Sequence, residues 1–416
     1  MDILIRYIDL WRWKRTGNRV LVYGRRKVGK SFFVRNFTRW DTYFHVKRDG
    51  GIIELSSMKE ISYDYLKDFL LREGERRVVV DEFHRLPEDF LDFLQAYGHD
   101  LNLVLITSTL WLSRKILGES SPILGLFEEF RMNIIDERDA IMFLKDKLRG
   151  REIIDSAVYI REPWIIPMIK GSVYNEIPRI LVEEKNTIER LIGEVFREEE
   201  RELRKTYAAI LNAVACGKVK STEISSFLYS RKLIDKDDPS IIQSYLTTLC
   251  NIGLLERIRV FNRKYRYYQH VSPLIDLYFY LDGKYGFSEL EVPVEEVRNV
   301  FSSRLPLHVE QFFRNLFSKL FGMRKGLIVE RDYDIDVALQ SFNRIMVVAE
   351  VKWKNHVPRH EVRQIENRLT RFKHARKILV VPERCVLEVE PEELEVWDSN
   401  KIVSEVVENI RKLNVG

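Results

Sequence analysis

Val20-Leu21-Val22-Tyr23-Gly24-Arg25-Arg26-Lys27-Val28-Gly29-Lys30-Ser31 decides the first half of the chain. Val20–Tyr23 is a short β-rich run, a Gly-rich turn follows, and a helix is expected from Lys30. From Gly24 to Ser31 every fixed position of G-x-x-x-x-G-K-[S/T] is filled. The glycines let backbone N–H groups converge on phosphate oxygens, and the helix start adds partial positive charge. The pattern assigns Gly24, Arg25, Arg26, Lys27, Val28, Gly29, Lys30 and Ser31 to nucleotide binding. Lys30 is expected to reach the β- and γ-phosphates with a catalytic share, and the Ser31 hydroxyl to bind Mg²⁺. ATP and Mg²⁺ are the expected cofactors.

Further along, Val78-Val79-Val80-Asp81-Glu82 reads as a buried strand ending in two acids. A carboxylate at the end of an apolar strand needs a partner, and Mg²⁺ is one. Asp81 is expected to hold the metal and Glu82 to polarise the attacking water as the catalytic carboxylate. Leu103-Val104-Leu105-Ile106 delivers Thr107, Ser108 and Thr109 at another strand end, where Ser108 is a candidate sensor of the γ-phosphate. Continuous apolar runs alternating with helical patterns predict a parallel sheet covered on both faces. The expected domain is an α/β phosphate-loop core over residues 1–135.

From 136 the texture turns helical. Residues 136–203 read as a helical lid. Residues 204–285 show three helices and a hairpin, the order of a winged helix-turn-helix. The hairpin holds Arg257, Arg259, Arg263, Lys264 and Arg266 among Phe261, Tyr265, Tyr267 and Tyr268. Such a wing can contact DNA phosphates, or it can serve as a packing module. The third helix offers Gln243 and Asn251 but no Arg or Lys, so non-specific binding is favoured over base reading. Acid-rich 286–304 is expected to be a linker, and a helix is expected to start at Pro306.

The last segment, 305–416, carries a second set of acids. Asp336 stands in Tyr333-Asp334-Ile335-Asp336, and Glu350 and Lys352 alternate with apolar residues in Val348-Ala349-Glu350-Val351-Lys352-Trp353. Alternation puts Glu350 and Lys352 on one strand face. Glu310 lies on the amphipathic helix before them, and Gln364 on the helix after. The set resembles the PD-(D/E)XK nuclease fold. The resemblance implies a restriction-endonuclease-like α/β domain in which Asp336, Glu350 and Glu310 hold Mg²⁺ and Lys352 serves catalysis. A plain strand salt bridge at Lys352 is the alternative.

Bulk properties exclude several classes. The chain has 416 residues, 45% hydrophobic and 31% charged, which suits two or three globular domains. No apolar run is long enough to span a bilayer, and the N-terminus lacks the apolar region of a signal peptide. Cys216, Cys250 and Cys385 lie far apart, so neither a disulfide framework nor a clustered zinc site is expected, and a reducing cytoplasm is. With 68 bases against 63 acids, the net charge of +5 permits nucleic acid without demanding it.

Taken with Ser121–Gly125, these motifs resemble the archaeal AAA+-type P-loop ATPases that carry a winged helix and often a C-terminal nuclease-like domain of unknown function. The resemblance covers nearly the whole chain. It implies an Mg²⁺-dependent ATPase acting on DNA, with a nuclease-like tail and protein partners or a homo-oligomer open to it. In that family an arginine follows the glycine of the Ser-Pro-x-x-Gly segment; here Leu126 stands there, and Arg131 is the nearest candidate. The departure favours slow hydrolysis, and with it a regulatory switch that binds proteins and has an inactive nuclease-like domain.

Overall fold

The computed structural model describes residues 3–107, 125–195 and 201–415. They divide into two compact units, Tyr7–Ile134 with Asn251–Gly253, and the remainder.

The first unit is built on β1 (Val20–Tyr23), β2 (Thr42–Val46), β3 (Ile52–Glu54), β4 (Lys59–Ile61), β5 (Val78–Asp81), β6 (Leu103–Thr107) and β7 (Glu128–Arg131), in the order β4-β3-β2-β5-β6-β1-β7. From β2 to β7 the pairing is parallel, while β3 and β4 add an antiparallel edge. The apolar runs are as buried as a two-sided sheet demands: every residue of β5 and β6 is buried. β6 lies between β1 and β5, so the Gly24 loop and Asp81 leave the same sheet edge one strand apart.

The helix Lys30–Phe37 is fixed to the sheet by aromatics. Phe33 stacks on Phe130 of β7 at 5.8 Å, and Trp13 meets both rings edge-on at 5.9 and 5.1 Å. Burying Phe33 contributes about 2–3 kcal/mol. The loop is therefore anchored on both sides.

The second unit holds the helical segment and the C-terminal segment together. The spans expected as lid, winged helix and nuclease-like domain, 136–203, 204–285 and 305–416, fall within it except for Asn251–Gly253, which belong to the first unit. Its sheet contains β8 (Leu255–Val260), β9 (Arg266–His270), β10 (Arg324–Val329), β11 (Asp334–Ser341), β12 (Arg344–Val351), β13 (Arg376–Val380) and β14 (Glu395–Trp397). The order is β14-β13-β12-β11-β10-β8-β9. Thus the hairpin β8–β9, which follows helices Arg201–Ala215, Ser221–Ser230 and Gln243–Asn251, is the edge of the C-terminal sheet. β8 pairs with β10 in parallel, Gly326 against Arg259 and Leu327 against Val260, and the Phe261 amide donates to the Leu327 carbonyl at 2.9 Å. Glycine is required there: a Cβ on Gly326 would lie 2.6 Å from the Arg259 carbonyl oxygen. Phe261 joins the apolar core of Ile328, Ile335 and Ala338.

The expected linker 286–304 is largely helical. One 28-residue helix, Val294–Phe321, runs through it and past Pro306. Val297, Phe301 and Leu305 are buried at a four-residue spacing, and that apolar stripe outweighs the acidic composition and the proline. A buried cluster ties this helix to its neighbours. His308 Nε2 lies 2.8 Å from Asp276 Oδ2, its Nδ1 lies 2.8 Å from the Tyr159 hydroxyl, and Arg304 pairs with the same carboxylate. Among the described residues no helix is long and apolar enough to cross a membrane.

Candidate functional site

Gly24 approaches its surroundings so closely that a Cβ would lie 2.1 Å from the Met132 carbonyl oxygen. The Met132 amide in turn donates to the Tyr23 carbonyl at 2.8 Å. Lys27 sits at φ 64° and Gly29 at φ 92°, immediately before the helix. These left-handed turns bend the backbone so that the loop wraps the helix start. Lys30 is buried within it, and its Nζ donates to the carbonyls of Gly24 and Arg25 at 2.9 and 3.0 Å. Burial lowers its pKa to about 8, against the pull of Glu82 and Asp81.

Asp81 is also buried, with Oδ2 accepting from the Tyr43 hydroxyl at 2.8 Å and His45 Nδ1 3.5 Å away. Burial pushes the carboxyl up, but His45, Tyr43 and Ser31 outweigh it and hold Asp81 below the usual carboxylate range. Its Oδ1 is buried without a hydrogen-bond partner among the described residues. An ionised carboxylate with one unused oxygen beside a hydroxyl suits a hard dication. Ser31 and Asp81 therefore fit Mg²⁺.

Glu82 occupies the left-handed region at φ 59°, a conformation that costs a non-glycine residue about 1 kcal/mol. His84 Nε2 and Arg85 Nη2 each lie 3.4 Å from its Oε2. The other imidazole nitrogen of His84 lies 3.0 Å from the buried Thr107 hydroxyl. Burial holds His84 below its ordinary value, Glu82 pulling the other way. His84, Tyr43 and His45 were not singled out in the sequence, and Thr107 was only one of three polar candidates. The β2–β5 register, which pairs His45 with Asp81, is the long-range fact that brings the last two in. Ser108 and Thr109, and Ser121 to Leu124 of the family segment, lie outside the described residues. Leu126 is buried in the apolar core, and Arg131 donates to the Asn251 carbonyl at 3.3 Å.

The second unit gathers Glu310, Asp336, Glu350 and Lys352. β11 and β12 run antiparallel with Val337 opposite Ala349, so Asp336 and Glu350 come to the same end of the sheet. Asp336 Oδ2 accepts from the Val351 amide at 2.8 Å. Glu350 Oε1 lies 3.6 Å from Lys352 Nζ and 3.0 Å from Arg368 Nη1. Its Oε2 is buried without a hydrogen-bond partner among the described residues. Burial, then the charge of Asp336, pushes Glu350 up to about 7 against Lys352 and Arg368. Burial and Asp336 likewise push Glu310 to about 8, with Arg314 and Lys352 opposing. Mutual repulsion and an unused buried oxygen suit a cation. Among the described residues, however, no three His, Cys, Asp or Glu side chains converge on one metal position. The acids are electrostatic neighbours, short of a closed ligand cage.

Gln364 is exposed; Arg368, four residues on, is the helix residue that reaches the acids. Arg314, which the sequence did not flag, is buried and links the hairpin to this site. Its Nε donates to the Asp336 carbonyl at 2.8 Å and its Nη1 to Gln269 Oε1 at 2.9 Å. Gln269 donates in turn to Glu256 at 2.6 Å, and Lys325 pairs with the same carboxylate. On the hairpin, Arg257 is bonded to Thr247 and Arg263 to Glu330, while Arg259, Lys264 and Arg266 are exposed.

The first unit is thus an α/β sheet with a phosphate-type loop at the head of a central strand. No family model and no curated protein matches the chain. Among solved structures, it is similar to the Walker-type ATPase of Pyrococcus abyssi at 19% identity, over 67% of this chain and 96% of that one, with a TM-score of 0.45. The ORC2 protein of Aeropyrum pernix, in ADPNP–ADP complexes, is 12% identical over 73% of this chain and 94% of its own, with a TM-score of 0.36. The ORC1 protein of the same organism, in complex with DNA, is 15% identical over 73% and 95%, with a TM-score of 0.29. The chemistry of both sites rests on the side chains described above, independently of these likenesses.

Proposed function

We propose that the chain binds ATP with Mg²⁺ at Gly24–Ser31, hydrolyses it, and acts on DNA. The observation that carries this reading is Lys30: a buried ammonium held by the carbonyls of its own loop, with Glu82 and Asp81 near enough to oppose the fall in its pKa that burial causes. A triphosphate offers that ammonium stronger acceptors than two carbonyls do, while the loop amides face the remaining phosphate oxygens. Ser31 and Asp81 would hold Mg²⁺, which when bound neutralises phosphate charge. Glu82 polarises the attacking water, and His84 with Arg85 keeps its carboxylate oriented. Ser108 remains the proposed γ-phosphate sensor.

The test is ATP binding by the full chain, with and without Mg²⁺, against Lys30→Ala. Loss of binding is expected; unchanged affinity would sink the proposal.

In the second unit, 204–285 serves as a winged helix whose hairpin also closes the sheet, with Arg259, Lys264 and Arg266 facing DNA phosphates. In a nuclease-type reaction Asp336 and Glu350 would hold Mg²⁺, Glu310 would add its charge as a neighbour of the pair, and Lys352 would stabilise developing charge. Plasmid cleavage by wild type, Asp336→Ala and Lys352→Ala tests this, and a wild type that cuts no form of DNA ends the nuclease reading. A second reading, a slow ATP switch binding protein partners, is favoured by one observation: Leu126 is packed in the core where the family pattern has an arginine.

A further inference from the structure

Glu350 stands near the end of β12, and the start of that strand forms the opposite end of the sheet. There Val347 of β12 pairs with Arg376 of β13 in parallel, so 344–346 and 373–375 lie side by side. They border an open cavity of about 640 Å³ lined by Arg344, Arg371, Lys373 and His374 over Ile345 and Phe372. Among the described residues that line it, none is an acid. Ile345 and Phe372 pack on the apolar core that contains Ile365, Leu369 and Ala375, which fixes the cations on a firm base. The Arg371 guanidinium lies 5.0 Å from the centroid of the Tyr333 ring. Arg344, Arg371, Lys373 and His374 are all exposed.

Two residues before Arg344, Phe342 caps the turn between β11 and β12. It is 95% exposed and held at φ 49°. An aromatic ring standing in water on the turn that leads into a cationic cavity is the pairing that single-stranded nucleic acid uses. The cavity takes backbone phosphates, and the ring takes the face of an unpaired base. Duplex bases have no free face to offer such a ring, and acidic side chains have no aromatic face to stack on it.

We propose that this hairpin end is a contact for single-stranded nucleic acid, with phosphates in the Arg344–Arg371–Lys373 cavity and one base stacked on Phe342. The inference rests on the DNA reading of the second unit and specifies a strand form and a place.

The experiment is fluorescence anisotropy on the full chain with labelled oligo-dT of about fifteen nucleotides, the same length of duplex, and poly-glutamate. Phe342→Ala is expected to weaken oligo-dT binding about tenfold and to leave duplex binding unchanged. Arg371→Glu with Lys373→Glu is expected to weaken oligo-dT further and to flatten its salt dependence. Binding of oligo-dT that ignores Phe342→Ala overturns the proposal, as does poly-glutamate binding with an equal response to it. Duplex binding without oligo-dT binding overturns this inference alone, whereas binding of neither nucleic acid removes the DNA reading as well. Circular dichroism of each variant, matching wild type, shows that the losses are not unfolding.

Discussion

The carboxyls at the two acid-bearing strand ends of this molecule are shifted in opposite directions. At Asp81 the sheet edge holds a carboxylate stabilised in its ionised form by Tyr43, His45 and Ser31, with a buried lysine next to it. At Glu350 two carboxyls are driven towards their neutral forms by burial and by Asp336, in spite of Lys352 and Arg368. The first site keeps its carboxylate charged. The second makes its carboxyls costly to charge even with Lys352, Arg368 and Arg314 close by. Similar acids at similar strand ends thus acquire different chemistry from what the neighbouring strands and helices bring to them.

The largest effect that would break this contrast is kinetic. Glu82→Gln should lower ATP turnover about a thousandfold while ATP affinity changes little, measured by single-turnover hydrolysis. Undiminished turnover would remove Glu82 from the chemistry. Lys30→Ala should weaken ATP binding about a hundredfold by calorimetry, through loss of a charge-assisted donor.

Smaller but sharper is the pH dependence. Phosphate favours protonated Lys30, whose pKa in the free protein is about 8. ATP affinity should be flat below that value and fall about tenfold per pH unit above it, until the pKa of the complex is reached. The same group bears on stability: the unfolded lysine holds its proton to higher pH, so burying Lys30 costs stability at neutral pH, and the cost fades as pH rises from about 8 towards the unfolded value. A flat affinity up to pH 9.5 would mean that the amine is not the phosphate contact.

Smallest are two substitutions of opposite sign. At pH 8 and without metal, Asp81→Asn should destabilise the protein by about 1–2 kcal/mol, because it removes charge-assisted bonds from Tyr43 and His45. Glu350→Gln should stabilise it by a similar amount. Its raised pKa means that ionised Glu350 costs the fold free energy, a cost that grows as pH climbs from the unfolded carboxyl value to about 7. Denaturant titration measures both, and equal signs would dissolve the distinction between the sites.

The loop was legible because its chemistry is contiguous: eight adjacent residues specify the turn, the donors and the helix start. The acids at 81, 82, 336 and 350 were legible from their place at the ends of, or in alternation with, apolar runs. What surrounds them was not. Tyr43 and His45 reach Asp81 through the pairing of β2 with β5, and Arg368 replaces Gln364 because one further helical turn brings it to Glu350. No local pattern encodes either fact. The helical stripe Val297, Phe301, Leu305 is present in the sequence, but the acidic composition around it and Pro306 mask it. The parallel β8–β10 contact, set by Gly326 far along the chain from Arg259, had no sequence signal except that glycine.

That contact has a mechanical meaning. A hairpin carried on a flexible tether yields when its ligand pulls on it. This one is braced: β8 is bonded to β10, β10 to β11, and Arg314 clamps Gln269 of the hairpin to the backbone of Asp336. A load applied at Arg259 or Arg266 is delivered as strain along a stiff beam to the strand that presents the acid.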